Sequence, residues 1–317
     1  MNKNKIFIWL GVSLLVILCL ASAAMSYLAF KERNKPQEVI IKTEPAEYKV
    51  FIPEVPKDLE FCGEKVPTND FDVRERVERE LLVNAHWYSA TILYLKRANR
   101  WFPVIEPILK EYGIPDDFKY MSVIESGLAN VSSPAGASGF WQLMESTAKK
   151  YGLEVNDEID ERYNVDKATR AACKYLKEAH ARYGNWTLTA ASYNYGLNGV
   201  DRQISRQRTD SYYNLYLNME TYRFVSRILA IKEIFKDPKK FGFDIKPENL
   251  YPPIESKKVI VGSKIKNLAD FAEENGVNYK ILKIMNPWLR NSTLSNRFGR
   301  KYEILIPDDK DFLLQNE

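Results

Sequence analysis

Histidine and cysteine are scarce in this sequence. Two histidines leave little from which to build a zinc site, and three cysteines cannot staple a disulfide scaffold. Neither sign of charge dominates: 46 Lys and Arg stand against 42 Asp and Glu, a net +4 that does not argue for nucleic acid as a ligand. Walker, GxGxxG and HExxH patterns are all missing, so no metal, nucleotide or flavin cofactor is expected. A single long uncharged apolar run excludes a polytopic membrane protein. An apolar share of 45% with 28% charged residues excludes wholesale disorder and collagen-like repeats. The 317 residues have room for about two domains beyond a targeting segment.

Aromatic residues, by contrast, are plentiful at 13%, with 19 tyrosines and 6 tryptophans. Such rings build cores. They also build sugar-binding grooves, where an apolar face stacks on a pyranose and a phenol or indole supplies a hydrogen bond. Composition does not choose between the two.

The chain begins Met-Asn-Lys-Asn-Lys, then carries no charge from residue 6 to 30, and Lys31-Glu32-Arg33 close the run. Residues 1–33 fit either a signal peptide, with Ala21-Ser22-Ala23 as a small-residue cleavage site, or an N-terminal anchor. Length favours the anchor, since about 20 apolar residues span a bilayer. Lys3 and Lys5 place the N-terminus in the cytoplasm. The remainder is then exported, either tied to the membrane or released after cleavage. In that compartment Cys62 and Cys173 could pair, although the helical setting of Cys173 favours a buried free thiol.

Residues 34–70, Pro-punctuated and charge-rich, read as a linker. A helical period starts at Val73 and continues through Val77, Leu81, Tyr88, Ile92 and Leu95. Further helices are predicted at roughly 104–112, 116–125, 140–150, 166–183, 187–195 and 221–236, and no strand run is evident before residue 255. Residues 71–250 therefore form one mainly α domain. Beyond Tyr251-Pro252-Pro253 a strand at 258–261, two helices and a strand at 302–307 make a small β-α-α-β module over residues 256–310. The basic cluster Arg202–Arg208 reads as solvated surface, with acidic peptides as the alternative contact.

One stretch has the residue types of a reaction site. Glu125-Ser126-Gly127 ends an apolar helix and leads into Ser133-Pro134-Ala135-Gly136-Ala137-Ser138-Gly139-Phe140-Trp141-Gln142. A carboxyl at an apolar helix end with aromatic walls is held protonated near neutral pH, as a general acid must be. Downstream, Ala191-Ser192-Tyr193-Asn194-Tyr195-Gly196 is a second small-plus-aromatic stretch.

With these motifs, and with Asp160-Glu161-Arg162 and Glu220-Thr221-Tyr222-Arg223 in the same order, residues from about 100 to 236 resemble lytic transglycosylases of the SLT type, in particular the membrane-bound D subgroup. The resemblance implies a lysozyme-like helical fold, peptidoglycan glycan strands as the partner, and cleavage of the MurNAc–GlcNAc β-1,4 bond. It implies Glu125 as the acid, then as the base that closes a 1,6-anhydro ring. Ser133, Gln142, Tyr193, Asn194 and Glu220 match substrate-binding or orienting positions. Trp141 is either core or sugar platform. Gly136 and Gly139 either admit substrate to the backbone or merely turn the chain. Gly127 departs from the aromatic or Ala common in relatives.

Residues 258–307 resemble a LysM domain, a module that binds N-acetylglucosamine-containing glycans. By that resemblance Gly262, Ser263, Asn286 and Pro287 are candidates for the binding edge, against the alternative that they only shape turns. Two other functions fit the same sequence: a catalytically inactive peptidoglycan-binding protein, and a hydrolytic muramidase on the same fold. Protein partners are not indicated by any motif.

Overall fold

A computed structural model describes residues 3–34 and 51–308. Residues 1–2, residues 35–50 of the expected linker and residues 309–310 of the expected C-terminal module lie outside the described residues. Two units result, residues 1–51 and 52–317. The first contains one helix, α1 (Lys3–Arg33), whose stretch Gly11–Arg33 is long and apolar enough to cross a membrane. Ser13 in that stretch donates its hydroxyl to Trp9 O, so this polar group is satisfied inside the helix.

In the second unit, the strands β1 (Glu60–Phe61) and β2 (Glu64–Lys65) form a short hairpin. The helices α2 (Phe71–His86), α3 (Tyr88–Tyr112), α4 (Lys119–Ser126), α5 (Glu145–Lys150), α6 (Val165–Tyr183), α7 (Trp186–Tyr195), α8 (Leu197–Gln207), α9 (Met219–Tyr222) and α10 (Phe224–Lys236) follow. The chain then forms β3 (Ser256–Val261), α11 (Leu268–Glu274), α12 (Tyr279–Met285) and β4 (Tyr302–Pro307). The protein is mainly α, with a small two-stranded sheet near its C-terminus.

Two helices form the centre of the larger, mainly α domain. Along α10, Phe224, Val225, Ile228, Leu229, Ala230, Ile231 and Ile234 are buried, and six consecutive residues of α7 from Thr187 to Ser192 are buried. A helix apolar on most sides belongs inside the packing, where α10 meets α2, α4 and α7. α6 shows the opposite pattern, with one buried face packed on α3 and α7 and the other solvated.

Three expectations need correction. The second half of the expected linker is packed, with Leu59, Phe61 and Val66 buried. Phe61 sits edge-on to Phe118 at 5.4 Å, and Phe118 to Trp186 at 5.4 Å. The hairpin also brings Glu64 to the start of α7, where it accepts from the Trp186 and Thr187 N–H groups, a carboxylate on a helix N-terminus. Strands of two residues leave no period to read, which is why the Pro-rich composition misled. Next, the helical period from residue 73 is broken at Trp87, and Thr91 Oγ1 donates to the buried carbonyl of Asn84 in the last turn of α2. Finally, residues 140–144 are loop rather than helix. The arginines of the basic cluster, in the second half of α8 and at its C-cap, are exposed, in line with the surface reading.

β3 pairs antiparallel with β4, from Ser256 opposite Pro307 to Val261 opposite Tyr302. Asn267 and Asn278 cap α11 and α12 through their side-chain oxygens. The core under this sheet includes Leu268, Leu282, Trp288, Leu294 and Ile304, together with Ile159 and Tyr163 from the larger domain. Among the described residues all three cysteines are free thiols; Cys173 is buried in α6 and Cys62 lies in the hairpin turn, so the suggested pairing does not form.

Candidate active site

α4 has eight residues and places Glu125 one residue from its end. Three contacts fix that end. Ser126 Oγ donates to Phe140 O at 2.9 Å, joining the helix to the following loop. Arg97 Nη1 donates to Gly127 O at 2.9 Å. Gly127 caps the helix at φ 63°, and a Cβ there would stand 2.6 Å from the Tyr94 ring. The glycine at the position of departure from the relatives is thus required by both backbone conformation and Tyr94.

Burial drives the Glu125 carboxyl up from the ordinary carboxylate range to about 7; the negative charge of Glu220 adds to the rise and Arg227 opposes it. Arg227 is held on α10 by a hydrogen bond from its Nη2 to Ile124 O at 3.2 Å. Desolvation is the largest of the three effects, so near neutral pH a large share of Glu125 carries its proton.

The Tyr193 hydroxyl donates to Trp141 O at 2.7 Å and its ring lies edge-on to Tyr175 at 5.2 Å. Burial first, and then the Glu125 charge, push the Tyr193 phenol well above its usual value, which keeps it a neutral donor. Trp141 is wholly buried and its indole N–H donates to Thr169 Oγ1 at 2.8 Å, so it is core and not a sugar platform.

Ser133 and Gln142 lie on the loop that Ser126 holds. Ser133 Oγ accepts from Ala137 N at 3.1 Å, which leaves the hydroxyl proton to donate. Gln142 adopts φ 44°, and its side-chain nitrogen donates to Val131 O at 3.0 Å and Gly139 O at 2.8 Å. The amide oxygen is thereby oriented as an acceptor. Gly139 does admit a close backbone approach, but of the Arg162 carbonyl, which a Cβ would meet at 1.9 Å. Asn194 is engaged at both ends, accepting from Thr221 Oγ1 at 2.6 Å and donating to Glu220 Oε1 at 3.0 Å. Glu220 itself is exposed on α9.

Glu125, Gln142, Ser133 and Tyr193 are thus linked through Ser126, the loop and Trp141, while Asn194 and Glu220 form a pair whose charge reaches Glu125. Arg227 and Tyr94 carried no signal in the sequence, because only the packing of α10 and α3 on α4 brings them there. The C-terminal quartet lies apart in the small module. Gly262 and Ser263 are exposed after β3. Asn286 is fully buried: its amide nitrogen donates to Leu282 O and Leu305 O, and its oxygen accepts from Leu305 N. It shapes the module and cannot meet a glycan. Pro287 lines a cavity of about 240 Å³ with Trp101, Asn130 and Trp288.

A helical domain with an uncharged-leaning glutamate at a helix end, followed by a β-α-α-β module, fits the class that two family models describe: residues 104–216 match the transglycosylase SLT domain, and residues 257–310 match the soluble lytic transglycosylase C-terminal LysM-like domain. Within that class the chain is similar to the membrane-bound lytic murein transglycosylase D of Escherichia coli (strain K12). The two are 28% identical over 251 residues, covering 76% of this chain and 53% of the relative. The same figures hold for the protein of that name from Escherichia coli O6:H1. A protein of Alteromonas sp. (strain M-1) named for tributyltin chloride resistance is 32% identical over 122 residues, 37% of this chain and 59% of that one. The chain therefore spans about half the length of the curated relatives it matches.

Proposed function

We propose that this protein is a peptidoglycan lytic transglycosylase that cleaves the MurNAc–GlcNAc β-1,4 bond and leaves 1,6-anhydroMurNAc ends. The observation that carries the reading is the partly exposed Glu125 side chain, whose carboxyl desolvation raises to about 7 at the end of α4 within the SLT-matching region. Glu125 gives its proton to the glycosidic oxygen as the C1–O bond breaks and positive charge develops on the sugar. The carboxylate left behind is disfavoured by burial and by Glu220, so it recovers a proton readily. It takes that proton from the C6 hydroxyl, whose oxygen bonds C1 and closes the anhydro ring. Because the nucleophile belongs to the substrate, no second carboxylate is needed.

In this reading Tyr193, pinned to the Trp141 carbonyl, orients the acid, and Ser133 and Gln142 offer a donor and an acceptor to the sugar at the cleavage point. Asn194 and Glu220 act on the electrostatics of Glu125. α1 anchors the chain to the inner membrane with the SLT domain on the periplasmic side, and Gly262 and Ser263 remain the exposed glycan-facing edge of the LysM-like module. Digestion of purified sacculi with mass spectrometry of the products tests the reaction. Anhydro ends are expected, and Glu125→Gln should abolish them while sacculus binding persists. Undiminished turnover by that variant would sink the assignment.

Hydrolysis on the same fold is the second reading, and Glu220 is the observation that favours it, since a second carboxylate acts on Glu125. It predicts products heavier by one water, with reducing ends, in the same digest.

A further inference from the structure

The ten residues 154–163 lie between α5 and α6, and they have two partners. On one side stands the LysM-like module. Ile159 bridges to Leu289, Asp160 N–H donates to Trp288 O at 2.9 Å, and Arg290 N–H donates to Glu158 O at 2.7 Å. The Glu158 side chain accepts from Ser295 N at 3.0 Å, Ser295 Oγ at 2.5 Å and Thr293 Oγ1 at 3.1 Å. Ile159 and Tyr163 complete the module's own apolar core. The module's two long loops also bridge each other at Ile265 and Leu294.

On the other side stands the loop of Ser133 and Gln142. Arg162, 7% exposed, forks onto Asp160 through Nε at 2.9 Å and Nη2 at 2.7 Å. Its remaining nitrogen, Nη1, donates to Gly136 O at 2.8 Å and Leu143 O at 3.2 Å, on opposite sides of that loop. The Arg162 carbonyl fills the place where Gly139 lacks a Cβ. Tyr163 OH shares a 2.6 Å hydrogen bond with Ser132 Oγ. A buried ion pair is costly unless its hydrogen bonds are complete, and here the fork and the loop carbonyls complete them. A planar guanidinium fixed on Asp160 imposes direction on both carbonyls, which an ammonium could not do.

We propose that Arg162 is a positioning residue, and that the LysM-like module braces the active-site loop 131–143 through residues 154–163. The proposal rests on the reading of Ser133 and Gln142 as sugar contacts. It makes the module part of the catalytic geometry instead of a substrate tether alone.

The test uses the full chain with Glu158→Ala, Glu158→Gln and Arg162→Lys. Backbone hydrogen exchange is followed in residues 131–143 and in α10, and kcat and KM are measured on a soluble tetrasaccharide too short to reach the module. Glu158→Ala and Arg162→Lys should speed loop exchange roughly tenfold with α10 unchanged, since local opening is separable from global unfolding. KM on the tetrasaccharide should rise on the order of tenfold, as displaced contacts lose binding, and Glu158→Gln should restore it by keeping an acceptor for Ser295. Unchanged loop exchange overturns the proposal, as does acceleration in loop and α10 together with a fixed KM, the mark of simple destabilisation. A KM rise on sacculi but not on the tetrasaccharide makes the module a tether and also overturns it. If the unaltered protein fails to cleave any glycan, the catalytic reading falls, while the exchange comparison still decides the brace.

Discussion

In the proposed mechanism function and stability oppose each other at Glu125, because burial that keeps a general acid protonated also disfavours its ionised form. The folded chain holds the Glu125 proton more tightly than the unfolded chain does. The corresponding stability is full below pH 4.5 and is lost as the pH rises through about 7. The loss at full ionisation is on the order of 3 kcal/mol. Glu125→Gln should therefore raise the thermal midpoint at pH 8.5 and change it little at pH 4, as followed by circular dichroism. Equal shifts at both pH values would contradict the burial argument. In the proposed mechanism the same proton serves turnover, so kcat/KM should fall as the pH rises through about 7. Glu220→Gln removes a charge that raises Glu125 and should move that alkaline limb to lower pH in a pH–rate profile. The helix-end placement of Glu125 and its raised carboxyl were legible in the sequence, because an acidic residue at an apolar helix end, ahead of a Gly/Ser loop, is chemically conspicuous. Arg227 was not, since it lies a hundred residues away on a core helix. Trp141 stayed ambiguous and Asn286 was taken as a candidate contact for one reason: a polar tip on a residue inside a motif reads as a ligand contact. Here each tip is consumed within the chain, by Thr169 and by the Leu282 and Leu305 backbone groups.

Among the elements, the long amphipathic helices were readable and the short irregular ones were not. α6 shows its period over nineteen residues, with Asn164 capping its start and Gly184 at φ 70° closing it. The β1–β2 hairpin has neither length nor period, and its stabilisation comes from partners distant in sequence: Phe118 on the turn before α4, and Trp186 and Thr187 at the start of α7. Cys62 N–H donates to Asp117 at 2.7 Å, and Lys232 of α10 donates to the same carboxylate. The hairpin therefore belongs to the fold, and Phe61 is its buried anchor. Phe61→Ala should destabilise the domain by about 3–5 kcal/mol in denaturant unfolding, the range for a large aromatic deleted from a core. A solvated linker would give a change near zero. The split between α2 and α3 belongs to the same scale: Trp87 interrupts a period that reads as continuous because both helices present apolar residues to one core.

At the scale of the whole molecule, the sequence shows two modules with a change of grammar at Tyr251, and the contact between them has no local signature. A strand-like pairing between Ile159 and Leu289 depends on residues 130 positions apart, and neither segment has a regular pattern of its own. The consequence is energetic. Ile159 and Tyr163 are covalently part of one domain and thermodynamically part of the other's core, beside Trp288, Leu289 and Tyr302. Removing the module would expose these side chains, so its unfolding costs the larger domain part of its own buried surface. Calorimetry of the full chain should accordingly show one unfolding transition for residues 52–308, and Ile159→Ala should lower it by the two or more kcal/mol of a buried aliphatic truncation. Two independent modules would instead give two transitions, with Ile159→Ala shifting only one of them. A single transition that moves as a unit is what the proposed brace requires, because a module that melts first cannot hold loop 131–143 at the temperature of the proposed cleavage.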